Sequence, residues 1–180
     1  MSDRLKVGIV GAGEVAQVIH LPILEAMSDK YQVVALCDVS EKALQFCGRK
    51  YNVENLFTDV KELVKLSEID AVFVLNSDEY HADAAIAAVN EGKHVFIEKP
   101  MTLTMKDANS IIEAKNRCQV HVMVGYMRRY APAFEAAVKE IGGLDKIVYA
   151  RVRDIIGPNQ FLSVNQDLNR NDFQIFLHLL

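Results

Sequence analysis

Three cysteines, Cys37, Cys47 and Cys118, are all that the 180 residues contain. They are odd in number, far apart, and set at no metal-ligand spacing from a histidine. This excludes a disulfide framework and a zinc pattern, and it suits a cytoplasmic chain with reduced thiols. A basic excess is also missing. Twenty Lys and Arg face 24 Asp and Glu, a formal net charge of −4. The chain therefore lacks the electrostatic footprint of a nucleic-acid or membrane-surface binder. No apolar run approaches the ~18 residues of a membrane span. The start does not have signal-peptide form, and no stretch is of low complexity. What is plentiful is apolar surface: 51% of the residues are hydrophobic, enough for a core. The length suits one domain, or one domain and part of another.

The apolar segments alternate with amphipathic ones. Strands are expected over 5–10, 32–37, 56–57, 71–75, 94–97 and 120–124. Helices are expected over 14–27, 41–51, 59–66, 80–91 and 104–118, with Pro22 kinking or restarting the first. The strand segments lack polar alternation, so they read as buried on both faces. Strands alternating with helices predict an α/β fold, a doubly wound parallel sheet with right-handed crossovers. The strand order expected for such a sheet is 3-2-1-4-5-6, with a ligand outside the carboxyl ends of the strands.

The first of those ends carries Gly11-Ala12-Gly13-Glu14-Val15-Ala16. Gly11 permits a tight turn. Gly13 removes the Cβ that would collide with a diphosphate. The helix that follows aims its free N–H groups at the anion, and Ala16 allows close helix–strand packing. The plain alternative is an ordinary strand–turn–helix corner. Asp38 directly follows the second strand. Its carboxylate can accept from both ribose hydroxyls of an adenosine and would repel a 2′-phosphate, which favours NAD over NADP. The plain alternative is a cap for the helix that begins near Ser40.

The same edge rule selects Asn76, Ser77 and His81 after the fourth strand, Glu98, Lys99 and Pro100 after the fifth, and Tyr126 and Arg128 after the sixth. His94 begins its strand and is expected far from any chemistry. His20, inside the first helix, is expected to be a packing residue. Lys99 is the sharpest catalytic candidate, because oxidation of a carbinol releases a hydroxyl proton that a lysine can hold. An ordinary lysine titrates near ~10.4, so that role calls for burial or a neighbouring positive charge. The plain alternative is a surface lysine in a loop.

In this order, VGIVGAG (7–13), ALCD (35–38), GKHVFIEKP (92–100) and VGYMRRYAP (124–132) resemble the Gfo/Idh/MocA family of oxidoreductases. The likeness runs over about residues 4–153. It implies an NAD-binding Rossmann domain, 1–124, followed by a linker helix and the start of an α+β substrate and oligomerisation sheet, 125–180. It also implies NAD-dependent chemistry on the CH–OH group of a sugar, inositol or related polyol. By this resemblance Gly11, Ala12, Gly13, Glu14, Val15 and Asp38 hold the cofactor. Asn76, Ser77 and His81 line its ribose and nicotinamide end, and Glu98 supports it. Lys99 sits at both the nicotinamide of the cofactor and the substrate, with Tyr126 and Arg128 on the substrate side. Met127 stands where many members have Asn.

Members of that family are longer, and their second domain supplies an Asp and a His four residues apart on a helix. Here a linking helix is expected over 133–141, ended by Gly142-Gly143, and a first sheet strand over 146–154. Asp172 and His178 are six apart, about 240° around a helix, and so cannot share one face. They are not assigned those roles. The apolar terminus could serve a self-contact, hence a homo-oligomer. Three functions remain open: an oxidoreductase, a non-catalytic NAD-binding module, or an inert fragment of a longer dehydrogenase.

Overall fold

The structure is a computed structural model and describes residues 4–151. They divide at Tyr126/Met127 into two compact units. The first unit is built on six strands: β1 (Leu5–Val10), β2 (Tyr31–Cys37), β3 (Asn55–Phe57), β4 (Ala71–Val74), β5 (His94–Ile97) and β6 (Val122–Val124). They form one parallel sheet in the order β3-β2-β1-β4-β5-β6. This is the doubly wound order the sequence predicts.

The centre of the sheet is apolar because water reaches neither face. Val7 and Ile9 of β1 point to one side with Leu36 of β2. Val10 points to the other with Val72, Val74 and Ile97. Burying a side chain of this size contributes about 1.5–3 kcal/mol. The first face is covered by helix α1 (Leu21–Ala26) and helix α2 (Glu41–Tyr51), through Leu21, Leu24, Leu44 and Cys47. The second is covered by α3 (Val60–Leu63), α4 (His81–Asn90) and α5 (Met105–Cys118), through Leu63, Ala85, Ala88 and Ile111. The alanine-rich face of α4 lets it lie close to the sheet.

Caps set the helix ends. Ser40 Oγ accepts from Ala43 N–H, Asp59 from Lys61 N–H and Thr104 from Asp107 N–H. Each satisfies a donor that the first turn leaves without a partner. Asn52 and Gln119 close α2 and α5 in the left-handed region, each at φ 55°. Before α1 lies a π-helical turn, Ala16–His20, and Pro22 stands in the first turn of α1. The proline thus restarts the helix, and the turn ahead of it widens: Leu21 N–H donates to Ala16 O, five residues back. Proline has no N–H for Val18, and its ring crowds that carbonyl.

One element is shorter than expected. The helix predicted over 59–66 stops at Leu63. Single turns then follow, with Leu66 N–H donating to Leu63 O and Ile69 N–H to Leu66 O. They bring Leu63, Val64 and Ile69 into the core, so packing overrides local propensity.

The second unit contains a 3₁₀ turn (Met127–Tyr130), helix α6 (Pro132–Ile141) and a further turn (Leu144–Lys146). Gly142 ends α6 at φ 90°, its N–H bonded to Lys139 O. The strand expected over 146–154 is not found where it can be checked: residues 147–151 are extended or irregular and unpaired. A strand needs a neighbour for its N–H and C=O groups, and this unit has none among the described residues. Residues 152–154 lie outside them, as do Asp172 and His178.

The buried thiol of Cys37 is pushed up from an ordinary 9.0 to about 12, first by burial, then by the negative charges of Asp38 and Asp59. The sign of the consequence follows from linkage. The folded state holds the proton that the unfolded chain gives up near 9.0, so stability present in full below that pH drains as pH climbs towards 12. Unfolding titrations in urea at rising pH are expected to show the midpoint falling above pH ~9, and Cys37→Ala is expected to flatten that fall.

Candidate functional site

All the candidate residues of the first unit sit where the sequence places them, at or beyond the carboxyl ends of the strands. The strand ladder continues past the strands and fixes the loops there. Leu75 N–H donates to Val10 O (2.7 Å), Glu98 N–H to Val74 O (3.0 Å) and Gly125 N–H to Ile97 O (2.8 Å).

The glycine turn is wedged between two strand ends. Gly11 N–H donates to Cys37 O at 2.8 Å. Its φ is +96°, and a Cβ there would lie 2.5 Å from Asn76 N and 2.6 Å from Leu75 C. Both are backbone atoms, so the fold itself requires this glycine. Gly13 differs. It is exposed, and a Cβ on it would meet nothing within 4 Å. Its φ lies outside the left-handed region. Among the described residues nothing requires a glycine at 13. Glu14 and Val15 are exposed beside it and open the helical segment, whose first N–H groups point out of its end.

Asp38 binds the turn directly. Its Oδ2 accepts from Ala12 N–H at 2.7 Å, and its Oδ1 accepts from Ser40 N–H at 2.8 Å. The cap of α2 is Ser40 and not Asp38, which braces the Ser40 N–H instead. A carboxylate has about four acceptor positions, and two remain. On the page of the sequence, the tie from Asp38 to Ala12 has no signal beyond the position of Asp38 at a neighbouring strand end.

After β4, Ser77 is exposed and Asn76 is half-buried. The Asn76 side-chain Oδ1 is buried without a hydrogen-bond partner. His81 corrects an expectation. Its ring is 1% exposed, with Nδ1 2.8 Å from Pro100 O and Nε2 3.0 Å from Asn76 O. Both nitrogens face backbone carbonyls, so the ring is a strut between two loops beneath the site and does not line it.

After β5, Glu98 uses both oxygens. Oε2 accepts from Lys99 N–H at 3.0 Å, and Oε1 accepts from His20 Nε2–H at 2.8 Å. His20 is thus more than the packing residue expected, although it does pack: its ring stands edge-on to Phe73 and Phe96, 6.0 and 5.4 Å away. Lys99 is exposed, and its Nζ has no partner among the described residues. The Lys99–Pro100 peptide is cis. Tyr126 is half exposed at the end of the first unit. Arg128 belongs to the second unit. His94 stays at the opposite edge of the sheet, where its Nδ1 accepts from His121 N–H. No group of His, Cys, Asp and Glu among the described residues could hold a metal ion.

Residues 5–126 match the profile of GFO_IDH_MocA, the oxidoreductase family with an NAD-binding Rossmann fold. The chain belongs to this family. Inositol 2-dehydrogenase of Salmonella typhimurium is 38% identical over 128 residues, 70% of this chain and 38% of that protein. Inositol 2-dehydrogenase of Paracoccus denitrificans is 34% identical over 155 residues, covering 83% and 46%. Scyllo-inositol dehydrogenase of Lactobacillus casei, solved with bound NAD(H) and scyllo-inositol, superposes with a TM-score of 0.73 at 27% identity, over 78% of this chain and 41% of that one. The chain spans less than half the length of the curated relatives it matches. As a Gfo/Idh/MocA domain it takes NAD. The chain's own geometry fits that cofactor: the bare backbone at Gly13 suits a diphosphate, and the two unused acceptor positions of Asp38 suit a pair of ribose hydroxyls. No helix among the described residues is long and apolar enough to cross a membrane.

Proposed function

We propose that this chain is the dinucleotide-binding part of an NAD-dependent oxidoreductase that acts on the CH–OH group of an inositol, sugar or related polyol. The observation that carries the reading is Gly13, a glycine that the fold does not need, beside an Asp38 that has acceptors to spare. Inositol dehydrogenases among the relatives support the substrate class.

In this reading the turn at Gly11–Gly13 and the helix after it hold the diphosphate, and Asp38 holds the adenosine ribose and disfavours a 2′-phosphate. Asn76 and Ser77 border the nicotinamide end. Held there, NAD would supply the acceptor for a hydride from the carbinol carbon. The hydroxyl proton would go to Lys99 Nζ as the neutral amine; it extends from the fifth strand end with no partner among the described residues. Lys99 is exposed in this chain, so the drier surroundings a proton acceptor needs come from the bound ligands. Tyr126 contributes on the substrate side. The free thiols suit a reducing compartment such as the cytoplasm.

Calorimetry with NAD and NADP tests the binding half, with NAD expected to bind more tightly. NADH formation with a panel of inositols and sugars tests the chemical half. Lys99→Ala is expected to leave the NAD dissociation constant within about threefold, and to lower NADH formation by at least about 10²-fold, the usual range for a proton-transfer group. A large loss of NAD affinity would instead make Lys99 a cofactor ligand. Firm NAD binding with no NADH formed from any polyol would move the assignment to a binding module.

A further inference from the structure

We propose that His20 is a positioning residue for Lys99, acting through Glu98, and that this bridge couples the diphosphate helix to the reactive loop. The proposal rests on the reading of Lys99 as the group facing the nicotinamide.

The bridge begins with the widened turn. Leu21 N–H reaches back five residues to Ala16 O, and His20 is the last residue of that turn. π-turns inside helices often mark functional positions. The turn sets the His20 ring edge-on against Phe73 and Phe96, which stack on each other at 4.9 Å across β4 and β5. With the ring held on one side, Nε2 meets Glu98 Oε1 at 2.8 Å. An ionised carboxylate can only accept, so Nε2 carries the proton. The two side chains are only 12% and 18% exposed, so water and salt compete weakly for the bond.

The other carboxylate oxygen takes Lys99 N–H at 3.0 Å. Glu98 is therefore gripped at both oxygens, once by the helix that follows Gly13 and once by the backbone of Lys99. Rotating it away from His20 would also release Lys99. A purely apolar side chain at position 20 could pack on the two phenylalanines equally well. It could not hold Glu98. The feature to explain is the bond, and its only target is the loop that carries Lys99.

The test uses the whole 180-residue chain with isotope-labelled backbone amides. His20→Phe keeps a ring on Phe73 and Phe96 but removes the donor. His20→Gln keeps a donor of similar reach. Glu98→Gln removes the charge without changing volume, and reads the same amide should His20→Phe not fold. Without ligand, the Lys99 amide signal is expected to shift in His20→Phe and in Glu98→Gln, and to return towards its native position in His20→Gln. With ligand, His20→Phe is expected to weaken NAD about five- to tenfold, because the released Glu98–Lys99 backbone, rather than the lysine side chain, crowds the nicotinamide; this is part of the free energy of one charge-assisted bond. ADP-ribose, which lacks the nicotinamide, is expected to stay within about twofold. An unmoved Lys99 amide in His20→Phe would overturn the proposal. So would failure of His20→Gln to recover the signal, or equal weakening of NAD and ADP-ribose, because those outcomes mean packing alone. A native chain that binds neither ligand would refute the functional reading, while the ligand-free amide signal still decides the role of His20.

Discussion

Gly13→Ala is expected to weaken NAD binding by at least about tenfold while the melting temperature stays within about 2 °C of the native chain. The reason is an asymmetry between two glycines of one turn. At Gly13 an added Cβ meets no protein atom within 4 Å, and the backbone is not left-handed. Folding therefore pays no steric cost for the methyl, and the smaller conformational freedom of the unfolded chain even offsets a little. A diphosphate drawn up against the same backbone would meet that methyl at once. Gly11→Ala reverses the pattern. Its Cβ would lie within 2.7 Å of three backbone atoms of Leu75 and Asn76, at a φ of +96°. Left-handed strain of about 1–2 kcal/mol and overpacking of about 1–3 kcal/mol add to roughly 2–5 kcal/mol. That is a large part of a typical domain stability of about 5–15 kcal/mol, and should lower the melting temperature by about 4–20 °C. Thermal unfolding followed by circular dichroism, with calorimetric NAD titration, separates the two. If Gly13→Ala unfolds early and still binds NAD as before, Gly13 belongs to the fold and the diphosphate has been placed wrongly.

The contrast also shows which features of the site a sequence can reveal. The glycine turn, Asp38 and the Glu98-Lys99-Pro100 loop are legible because each directly follows an apolar strand, and a parallel sheet brings all such ends to one edge. Caps such as Thr104 are legible because their partners are three residues away. The bond from His20 to Glu98 joins residues 78 positions apart, and no periodicity links them. A polar ring in an apolar helix looks like a packing residue until its partner is known. The proline two residues later is the one local hint, because it widens the turn that aims the ring. His81 misleads in the opposite way. It stands at the ligand edge in sequence, but a helix begins at that residue and turns its ring under the loop, where Pro100 O and Asn76 O take both nitrogens. The strand expected over 146–154 is unpaired at 147–151 for a third reason: strand propensity says nothing about whether a pairing neighbour stands among the described residues.

Asp38→Ala is expected to weaken NAD binding by at least about 100-fold and to narrow the gap between NAD and NADP. Two effects combine. The carboxylate offers two unused acceptor positions to the ribose hydroxyls, and hydrogen bonds to a charged group contribute about 1.5–3 kcal/mol each when they are made well. It also holds Ala12 N–H at 2.7 Å, so its loss loosens the turn that carries Gly13. Both effects weaken NAD. Only the loss of negative charge helps NADP, whose 2′-phosphate would otherwise face a carboxylate across a few ångströms. Asp38→Asn separates the contributions. The amide keeps one acceptor oxygen, so either Ala12 N–H or Ser40 N–H retains its partner, but the charge is gone. NADP affinity should therefore rise relative to NAD in both variants, and absolute NAD affinity should fall further in Asp38→Ala. Parallel titrations with the two dinucleotides read the ratio directly. An NAD dissociation constant within about twofold of native in Asp38→Ala would reduce Asp38 to a brace for Ala12 and for the capping residue Ser40, because even one lost charged hydrogen bond costs more than that.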